Sequence, residues 1–230
     1  MKVSNNLDIA IKAAIAAGKE ILKIYKSSDL GIEYKSDKSP LTLADKASNR
    51  VIESALIATK IPILSEEGEV INYEDRKDLN KLWIVDPLDG TKEFIKKNDE
   101  FTVNIALIEE YKPIMGVIYA PALKVMYFSE KKLGAFKILI GDSDEFHYSK
   151  AIRLPIIKKS NEYRVLTSRS HLDKNTLNYI DNLNVNNLKV VSVPMGSSLK
   201  FCLLAEGIAD CYPRFSPCME WDTAAGQAIC

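Results

Sequence analysis

The fold is decided by the segment Trp83-Ile84-Val85-Asp86-Pro87-Leu88-Asp89-Gly90-Thr91. An apolar run ends in two carboxylates three residues apart, and a glycine and a threonine follow where a helix can begin. This pattern predicts a buried strand that leads into a helix. Carboxylates at such a junction suit hard metal ions held beside a phosphate. Aspartate, proline and glycine are also turn formers, so a plain turn is the alternative.

Further acidic residues stand at similar junctions on either side of this segment. Glu66 and Glu67 follow the short apolar run at 61–64, and Asp222 stands at the start of the last predicted helix. Taken separately, the first two could form a solvated loop, and Asp222 could stabilise the helix dipole or cap the helix. Acidic residues at several strand ends and helix starts together favour a multi-ion metal site.

Asp45 also has both a structural and a functional interpretation. Thr42 and Asp45 have the spacing of a capping box at a helix start. The functional interpretation is that Asp45 orients Thr91 or polarises a water. The backbone amides of Gly90 and Thr91, at the start of the next predicted helix, are candidates for phosphate binding.

Composition limits the classes of function. The 230 residues include 31 basic and 31 acidic residues, 47% are hydrophobic and 27% are charged, as in ordinary globular proteins. A net charge of zero gives no electrostatic reason to expect nucleic acid or a membrane surface as partner. The N-terminal residues 1–6 contain no long apolar segment of the signal-peptide kind. No apolar run approaches the length of a membrane span, so no transmembrane segment is predicted.

The cysteines predict the compartment. All four lie in the last thirty residues, they form no CxxC pair, and the chain has only two histidines, which argues against a zinc site. Free thiols in a reducing cytoplasm are the preferred interpretation, with attachment at the inner face of a membrane as a variant of it.

Hydrophobic periodicity predicts an α+β or α/β chain. The first 26 residues read as one amphipathic helix, and a second helix begins near Thr42 with Ala44, Ala47, Val51, Ala55 and Ala58 on one face. Strands are predicted at 61–64, 82–85, 101–108, 114–119, 125–129, 163–167, 189–193 and 208–212, and further helices at 172–183, at 197–206 and from Trp221.

Strands and helices alternate after residue 150, which predicts α/β layering there. The polar stretch 141–145 is the predicted boundary between an N-terminal half, 1–145, and a C-terminal half, 146–230. The last helix reaches the final residue without a C-cap glycine or a tail, so we expect the second half to be truncated at its C-terminus.

Two motifs carry a family resemblance. Asp86-Pro87-Leu88-Asp89-Gly90-Thr91 and Glu220-Trp221-Asp222-Thr223-Ala224-Ala225-Gly226 resemble the signature motifs of the inositol monophosphatase superfamily, which contains lithium-sensitive, magnesium-dependent phosphatases. The resemblance covers the whole chain and implies a layered αβαβα sandwich with the site between its two halves. Family members continue for some tens of residues beyond the second motif.

Other segments resemble the bacterial 3′(2′),5′-bisphosphate nucleotidases within that superfamily. The strongest is Gly196-Ser197-Ser198-Leu199-Lys200-Phe201-Cys202, which leads to Tyr212-Pro213-Arg214-Phe215. Inositol phosphatases have an acidic residue that binds the inositol ring before the second motif, where this chain has Arg214-Phe215. The resemblance therefore favours a nucleotide as the small-molecule substrate.

The resemblance implies a role for each matching residue. Thr91 and Asp45 would activate the attacking water, and the amides of Gly90 and Thr91 would hold the phosphate. Two or three Mg²⁺ ions would be bound by Glu66, Asp86, the Leu88 carbonyl, Asp89 and Asp222, with Glu67 acting through water. The nucleoside would contact Gly196, Ser197, Lys200, Arg214, Glu220 and His171.

The implied reaction removes the 3′-phosphate of adenosine 3′,5′-bisphosphate to give AMP and phosphate. The sulfated analogue carries the same 3′-phosphate, which would link the protein to sulfur metabolism. Inositol monophosphatase activity is the first alternative. A non-catalytic protein that binds metal and nucleotide is the second, and the intact pair Asp45 and Thr91 argues against it.

Overall fold

A computed structural model describes residues 2–141, 146–156, 160–170, 172–183 and 188–230. The helices are α1 (Asn5–Tyr25), α2 (Leu43–Leu56), α3 (Tyr73–Arg76), α4 (Thr91–Ile95), α5 (Lys174–Asp181), α6 (Leu199–Ala205) and α7 (Glu220–Ile229). The strands are β1 (Glu33–Tyr34), β2 (Pro40–Leu41), β3 (Ile63–Ser65), β4 (Lys81–Asp89), β5 (Thr102–Glu109), β6 (Lys112–Ala120), β7 (Val125–Glu130), β8 (Gly134–Leu139), β9 (Ile152–Arg153), β10 (Glu162–Ser168) and β11 (Lys189–Met195).

In the described part of the chain, seven strands form a large sheet in the order β3-β4-β5-β6-β7-β8-β9. Strand β3 runs parallel to β4, and the remaining neighbours are antiparallel. Strands β10 and β11 form a separate parallel pair connected through α5. β1 and β2 form a short antiparallel hairpin ahead of α2.

Residues 82–85 of β4 are all apolar because both faces of the sheet are covered. Trp83 and Val85 belong to the core shared with α1 and α2, whereas Leu82 and Ile84 belong to the core shared with α6 and α7. Successive side chains of a strand point to opposite faces, so a strand between two helical layers needs apolar residues at each position. The predicted layered α/β architecture is confirmed, with helices on both faces of the large sheet.

Helix α2 begins as its capping box predicts, but its buried face differs from the predicted one. Ala47, Val51 and Ala55 are only partly buried, whereas Ser48 and Asn49 are buried. Ser48 and Asn49 are buried because their side chains hydrogen-bond to backbone carbonyls. The Ser48 hydroxyl donates to the Pro87 carbonyl at 2.7 Å, and the Asn49 amide donates to the Glu67 carbonyl at 3.3 Å. This face of α2 holds the chain turns that follow β3 and β4.

One predicted strand is wrong. The segment 208–212 makes only a single bridge, between Cys211 and Val165. Instead, the Arg164 guanidinium donates to the Ile208 carbonyl at 2.7 Å, and the Asp210 carboxylate accepts from the Arg164 amide at 2.7 Å. Backbone hydrogen bonds to β10 are made at Asp210 and Cys211. The side-chain hydrogen bonds satisfy neighbouring backbone groups that a longer ladder would otherwise satisfy.

The division at residue 145 stays a prediction. Its boundary falls mainly on residues 142–145, outside the described residues. Helix α7, from the second half of the chain, packs on β4, β5 and β6 of the large sheet. Within the described residues, no helix has both the length and the apolar character needed to cross a membrane.

Helix α7 approaches the sheet closely at Gly116 of β6. A Cβ atom on Gly116 would lie 2.5 Å from the Ala225 carbonyl oxygen and 2.9 Å from the Ala228 Cβ. We expect Gly116→Ala to lower the free energy of unfolding by about 1–3 kcal/mol, because the helix backbone has to move to make room. Chemical denaturation measures this change.

Gly68→Ala is the matched control for this substitution. A Cβ on Gly68 would lie 2.9 Å from the Glu53 carboxylate, whose flexible side chain can rotate away, and 3.2 Å from the Ser65 Cβ. We therefore expect a smaller loss of stability than for Gly116→Ala. Equal denaturation midpoints for the two variants would contradict the tight contact between α7 and β6.

Candidate active site

The site is built around the end of β4. Asp86 pairs with Asn104 of β5 and Asp89 with Thr102, and the register shifts between these two pairs. Pro87 has no amide hydrogen to donate to the ladder, which favours this bulge. The Asp86 carboxylate accepts a hydrogen bond from the Leu88 amide at 3.1 Å and is only 1% exposed.

A cleft of about 490 Å³ opens at this point, within the usual size range of small-molecule sites. Its acidic wall contains Glu66, Asp86, Asp89 and Asp222, and Leu88, Gly90 and Thr91 lie beside them. Its lining also includes Gly196, Ser197, Lys200 and Arg214. The structure therefore gathers residues from both halves of the sequence around one cleft.

The carboxylates in this wall are close enough to disfavour one another's charge. Burial raises the pKa of Asp86 well above its usual range, and the carboxylates of Glu66, Asp89, Asp222 and Asp45 raise it further. Burial also raises the pKa of Asp89 to about 6, with Lys200 opposing this change and Asp222 adding to it. Burial raises the pKa of Glu66 despite its contact with Lys35.

Protein cations hold part of this acidic wall. Lys35 donates to Glu66 at 2.8 Å and also to Glu67, and Arg214 donates to Asp222 at 3.0 Å. Among the residues that the structure describes, no three carboxylate, imidazole or thiolate side chains converge closely enough to hold an ion as they stand. Side chains drawn towards these cations would need to turn to share a metal ion.

The chemistry of the wall nevertheless fits Mg²⁺. Its donors are carboxylate oxygens and the Leu88 carbonyl, and Mg²⁺ prefers oxygen ligands. Buried carboxylates that raise one another's pKa also gain most from a nearby divalent cation. The donor set and the excess negative charge both agree with a magnesium site.

Thr91 lines the cleft, and its hydroxyl contacts Asp45, which is buried next to the cleft. The Thr91 hydroxyl lies 3.3 Å from Asp45 Oδ1 and 3.3 Å from the Leu88 carbonyl. Asp45 Oδ2 accepts from the Thr42 amide at 2.7 Å and from the Thr42 hydroxyl at 2.6 Å. The capping role and the contact with Thr91 therefore coexist, because each uses a different carboxylate oxygen. Burial raises the pKa of Asp45 to about 6.

The start of α6 contributes a buried lysine to the cleft. Lys200 Nζ donates to the carbonyls of Ser197 at 2.6 Å and Met195 at 3.1 Å, and burial lowers its pKa although Asp89 opposes this change. Gly196 allows the close approach of this segment to the first half. A Cβ on it would lie 2.8 Å from the Glu93 side chain and 2.9 Å from the Glu100 carbonyl.

Two glutamates from the first half of the sequence hydrogen-bond to residues of the second half, next to the start of α6. Glu100 accepts from the Gly196 amide at 2.7 Å and from two nitrogens of Arg169 at 2.6 and 2.7 Å. Glu93 accepts from the Ser170 hydroxyl at 2.5 Å. These bonds set the position of the 196–200 segment relative to the end of β4.

Four predicted site residues are not among those that line this cleft. Asp45 lies next to the cleft and contacts it through Thr91. Glu220 accepts from Arg76 at 2.6 Å and does not line the cleft. Glu67 is held by Lys35 behind Glu66. His171 lies outside the described residues.

Lys35 and Asp173 belong to the site but were not predicted from the sequence. Lys35 lies in a polar loop without periodicity, and its contact with Glu66 spans 31 residues. Asp173 lines the cleft and accepts from the Thr176 amide at 2.9 Å at the start of α5. Its spacing to Thr176 has the pattern of a helix start, which could have located it.

Comparisons with known proteins identify close relatives. The inositol monophosphatase family model matches residues 2–230. The chain is 44% identical to the 3′(2′),5′-bisphosphate nucleotidase CysQ of Buchnera aphidicola over 97% of this chain and 80% of that protein. It is also 44% identical to the CysQ of Salmonella typhimurium, over 97% of this chain and 86% of that protein.

Solved structures give the same result for the fold. The crystal structure of CysQ from Bacteroides thetaiotaomicron, described as a bacterial member of this family, superposes with a TM-score of 0.87 at 46% identity. The match covers 97% of this chain and 84% of that one. An IMPase of Thermotoga maritima has a TM-score of 0.75 at 24% identity, over 98% of this chain and 82% of that one, and supports the fold alone. The chain belongs to the inositol monophosphatase family.

Proposed function

We propose that the protein is a magnesium-dependent phosphatase that hydrolyses the 3′-phosphate of adenosine 3′,5′-bisphosphate, giving AMP and phosphate. The observation that carries this proposal is that an acidic wall, Lys200 and Arg214 line one cleft together with Thr91, whose hydroxyl contacts Asp45. The names of the relatives at 44% identity support the substrate class. The sulfated analogue with the same 3′-phosphate is a second proposed substrate.

Metal binding is assigned to the acidic wall. Glu66, Asp86, the Leu88 carbonyl, Asp89 and Asp222 would hold two or three Mg²⁺ ions, with Glu67 contributing through water. When bound, Mg²⁺ lowers the pKa of water and neutralises charge on the phosphate and the leaving oxygen. The mutual repulsion of the carboxylates supports this assignment.

Thr91 and Asp45 are assigned to the attacking water. The Thr91 hydroxyl lies within hydrogen-bond distance of Asp45 Oδ1 and of the Leu88 carbonyl. With its proton directed to Asp45, Thr91 would accept a proton from the attacking water as it passes its own proton to the Asp45 carboxylate. The two bonds from Thr42 fix the orientation of Asp45, and its pKa of about 6 suits proton exchange near neutral pH. The amides of Gly90 and Thr91 are assigned to the phosphate.

The remaining contacts are assigned to the nucleoside and its second phosphate. Lys200 and Arg214 supply positive charge, and Gly196 and Ser197 form the adjoining wall. Glu220 and His171 keep the nucleoside-binding roles that the family resemblance implies.

We also propose a cytoplasmic location. The free cysteines Cys202, Cys211, Cys218 and Cys230 agree with a reducing compartment.

Phosphate release from two substrates tests the proposal. With Mg²⁺ present, we expect kcat/KM for adenosine 3′,5′-bisphosphate to exceed that for inositol 1-phosphate by at least about 10²-fold, since a site built for one substrate's polar groups rejects an analogue that lacks them. Faster hydrolysis of inositol 1-phosphate would favour an inositol monophosphatase instead. No release from either substrate would favour a non-catalytic binding protein.

A further inference from the structure

An exposed aromatic ring stands in the part of the cleft formed by residues 212–217 and the start of α5. Phe215 lines the cleft and is 50% exposed. The lining around it combines the polar residues Asp173, Thr176 and Ser216 with two prolines, Pro213 and Pro217. An aromatic ring left half exposed in a cleft offers a flat apolar face to a ligand.

The ring is supported from behind. The rings of Phe215 and Tyr179 lie 5.7 Å apart between centroids, at an angle of 55°. The Tyr179 hydroxyl is 3.6 Å from the Cys211 sulfur, which ties α5 to the segment that precedes Phe215. Tyr179 therefore limits the movement of Phe215 away from the cleft.

The backbone around Phe215 is also held on both sides. Arg214 donates to Tyr212 at 3.2 Å and to Asp222 at 3.0 Å, and Ser216 donates to Asp173 at 3.2 Å. Pro213 and Pro217 flank this stretch and restrict its backbone. A ring held in this way loses little conformational freedom when a ligand stacks on it.

We propose that Phe215 is the surface on which the nucleobase stacks, and that it sets the preference for nucleoside bisphosphates over phosphate esters without an aromatic group. The inference rests on the proposed function. Every nucleobase has a π-face that stacks on an aromatic ring, whereas inositol and glycerol have none. The acidic wall and Phe215 line the same cleft, so one ligand can contact both.

The test is the ratio of kcat/KM for adenosine 3′,5′-bisphosphate to that for glycerol 2-phosphate. We expect Phe215→Ala to lower this ratio about 5- to 150-fold, the effect of losing one base–aromatic stack. Phe215→Trp should keep the ratio of the wild type, because its ring also stacks. Tyr111→Ala is the control, since Tyr111 is 77% exposed and contacts the Lys77 carbonyl away from the cleft.

A ratio unchanged in Phe215→Ala would overturn the assignment. A purely structural role in packing on Tyr179 would change the thermal midpoint and affect both substrates alike, which would also leave the ratio unchanged. If the wild-type protein does not hydrolyse the bisphosphate, the proposed function fails separately, and binding still tests Phe215. In that case adenosine 3′,5′-bisphosphate should quench the fluorescence of Phe215→Trp more than that of the wild type, which already contains Trp83 and Trp221. Glycerol 2-phosphate should cause no such difference, and equal quenching of the variant and the wild type by the bisphosphate would refute stacking.

Discussion

Asp89→Asn is expected to reduce kcat/KM for phosphate release by about 10³-fold or more, because it removes a charged ligand worth several kcal/mol to the transition state. Asparagine has nearly the same shape as aspartate. Asp89 lies at the end of β4, in the wall of the cleft and outside both hydrophobic cores. The loss should therefore appear in turnover and in Mg²⁺ binding, with the fold intact.

Asp89→Asn is also expected to change the thermal stability of the metal-free protein. The folded-state pKa of Asp89 is raised to about 6 from an ordinary value of 3.8. A raised carboxyl pKa means that its stabilising contribution is present below pH 3.8 and is lost as the pH rises through 6. At pH 7 in EDTA, Asp89→Asn should therefore unfold at the same temperature as the wild type or at a higher one. This advantage should disappear near pH 4.

Asp181→Asn is the matched control, since Asp181 is exposed at the end of α5. It should retain wild-type turnover. Near-normal activity of Asp89→Asn with Mg²⁺ would mean that Asp89 does not bind the metal. A much lower thermal midpoint of Asp89→Asn in EDTA would mean that its carboxylate is a structural group.

Thr91→Ala and Asp45→Asn are each expected to lower kcat by about 10²- to 10⁴-fold, the usual contribution of a positioned proton acceptor. The Thr91 hydroxyl and Asp45 Oδ1 lie 3.3 Å apart, and we propose that they act as one unit on the attacking water. The double variant should therefore lose little more than either single variant, because residues that act together are not additive.

Thr42→Ala separates this role from helix capping. The Thr42 hydroxyl donates to Asp45 and accepts from the Ala44 amide as the cap of α2. Its removal should lower the free energy of unfolding by about 1 kcal/mol, whereas the bond from the amide of residue 42 to Asp45 is retained. Its effect on kcat should be smaller than that of Thr91→Ala. Additive losses from Thr91→Ala and Asp45→Asn would contradict a shared role.

The elements nearest the acidic segments were predictable because their patterns are local. The apolar run ending at Asp86 identified β4, and the capping-box spacing identified the start of α2. Both signals depend on contacts within one strand or one helical turn. The sequence also predicted the helix α1, whose apolar residues recur at helical spacing along its whole length.

The contacts that shape the site were not predictable from local patterns. The predicted buried face of α2 was wrong because Ser48 and Asn49 hydrogen-bond to backbone carbonyls 39 and 18 residues away. The contact of Lys35 with Glu66 likewise joins segments with no shared periodicity. The assignment of individual metal and nucleoside residues came from the family resemblance and not from spacing. It remains a prediction for this chain.

The most direct measurement of the central claim is ³¹P NMR of adenosine 3′,5′-bisphosphate incubated with the wild-type protein, first in EDTA and then with excess Mg²⁺. We predict no reaction in EDTA, followed by complete conversion to inorganic phosphate and adenosine 5′-phosphate after Mg²⁺ is added. Hydrolysis in EDTA, or accumulation of adenosine 3′-phosphate, would contradict a magnesium-dependent 3′-phosphatase.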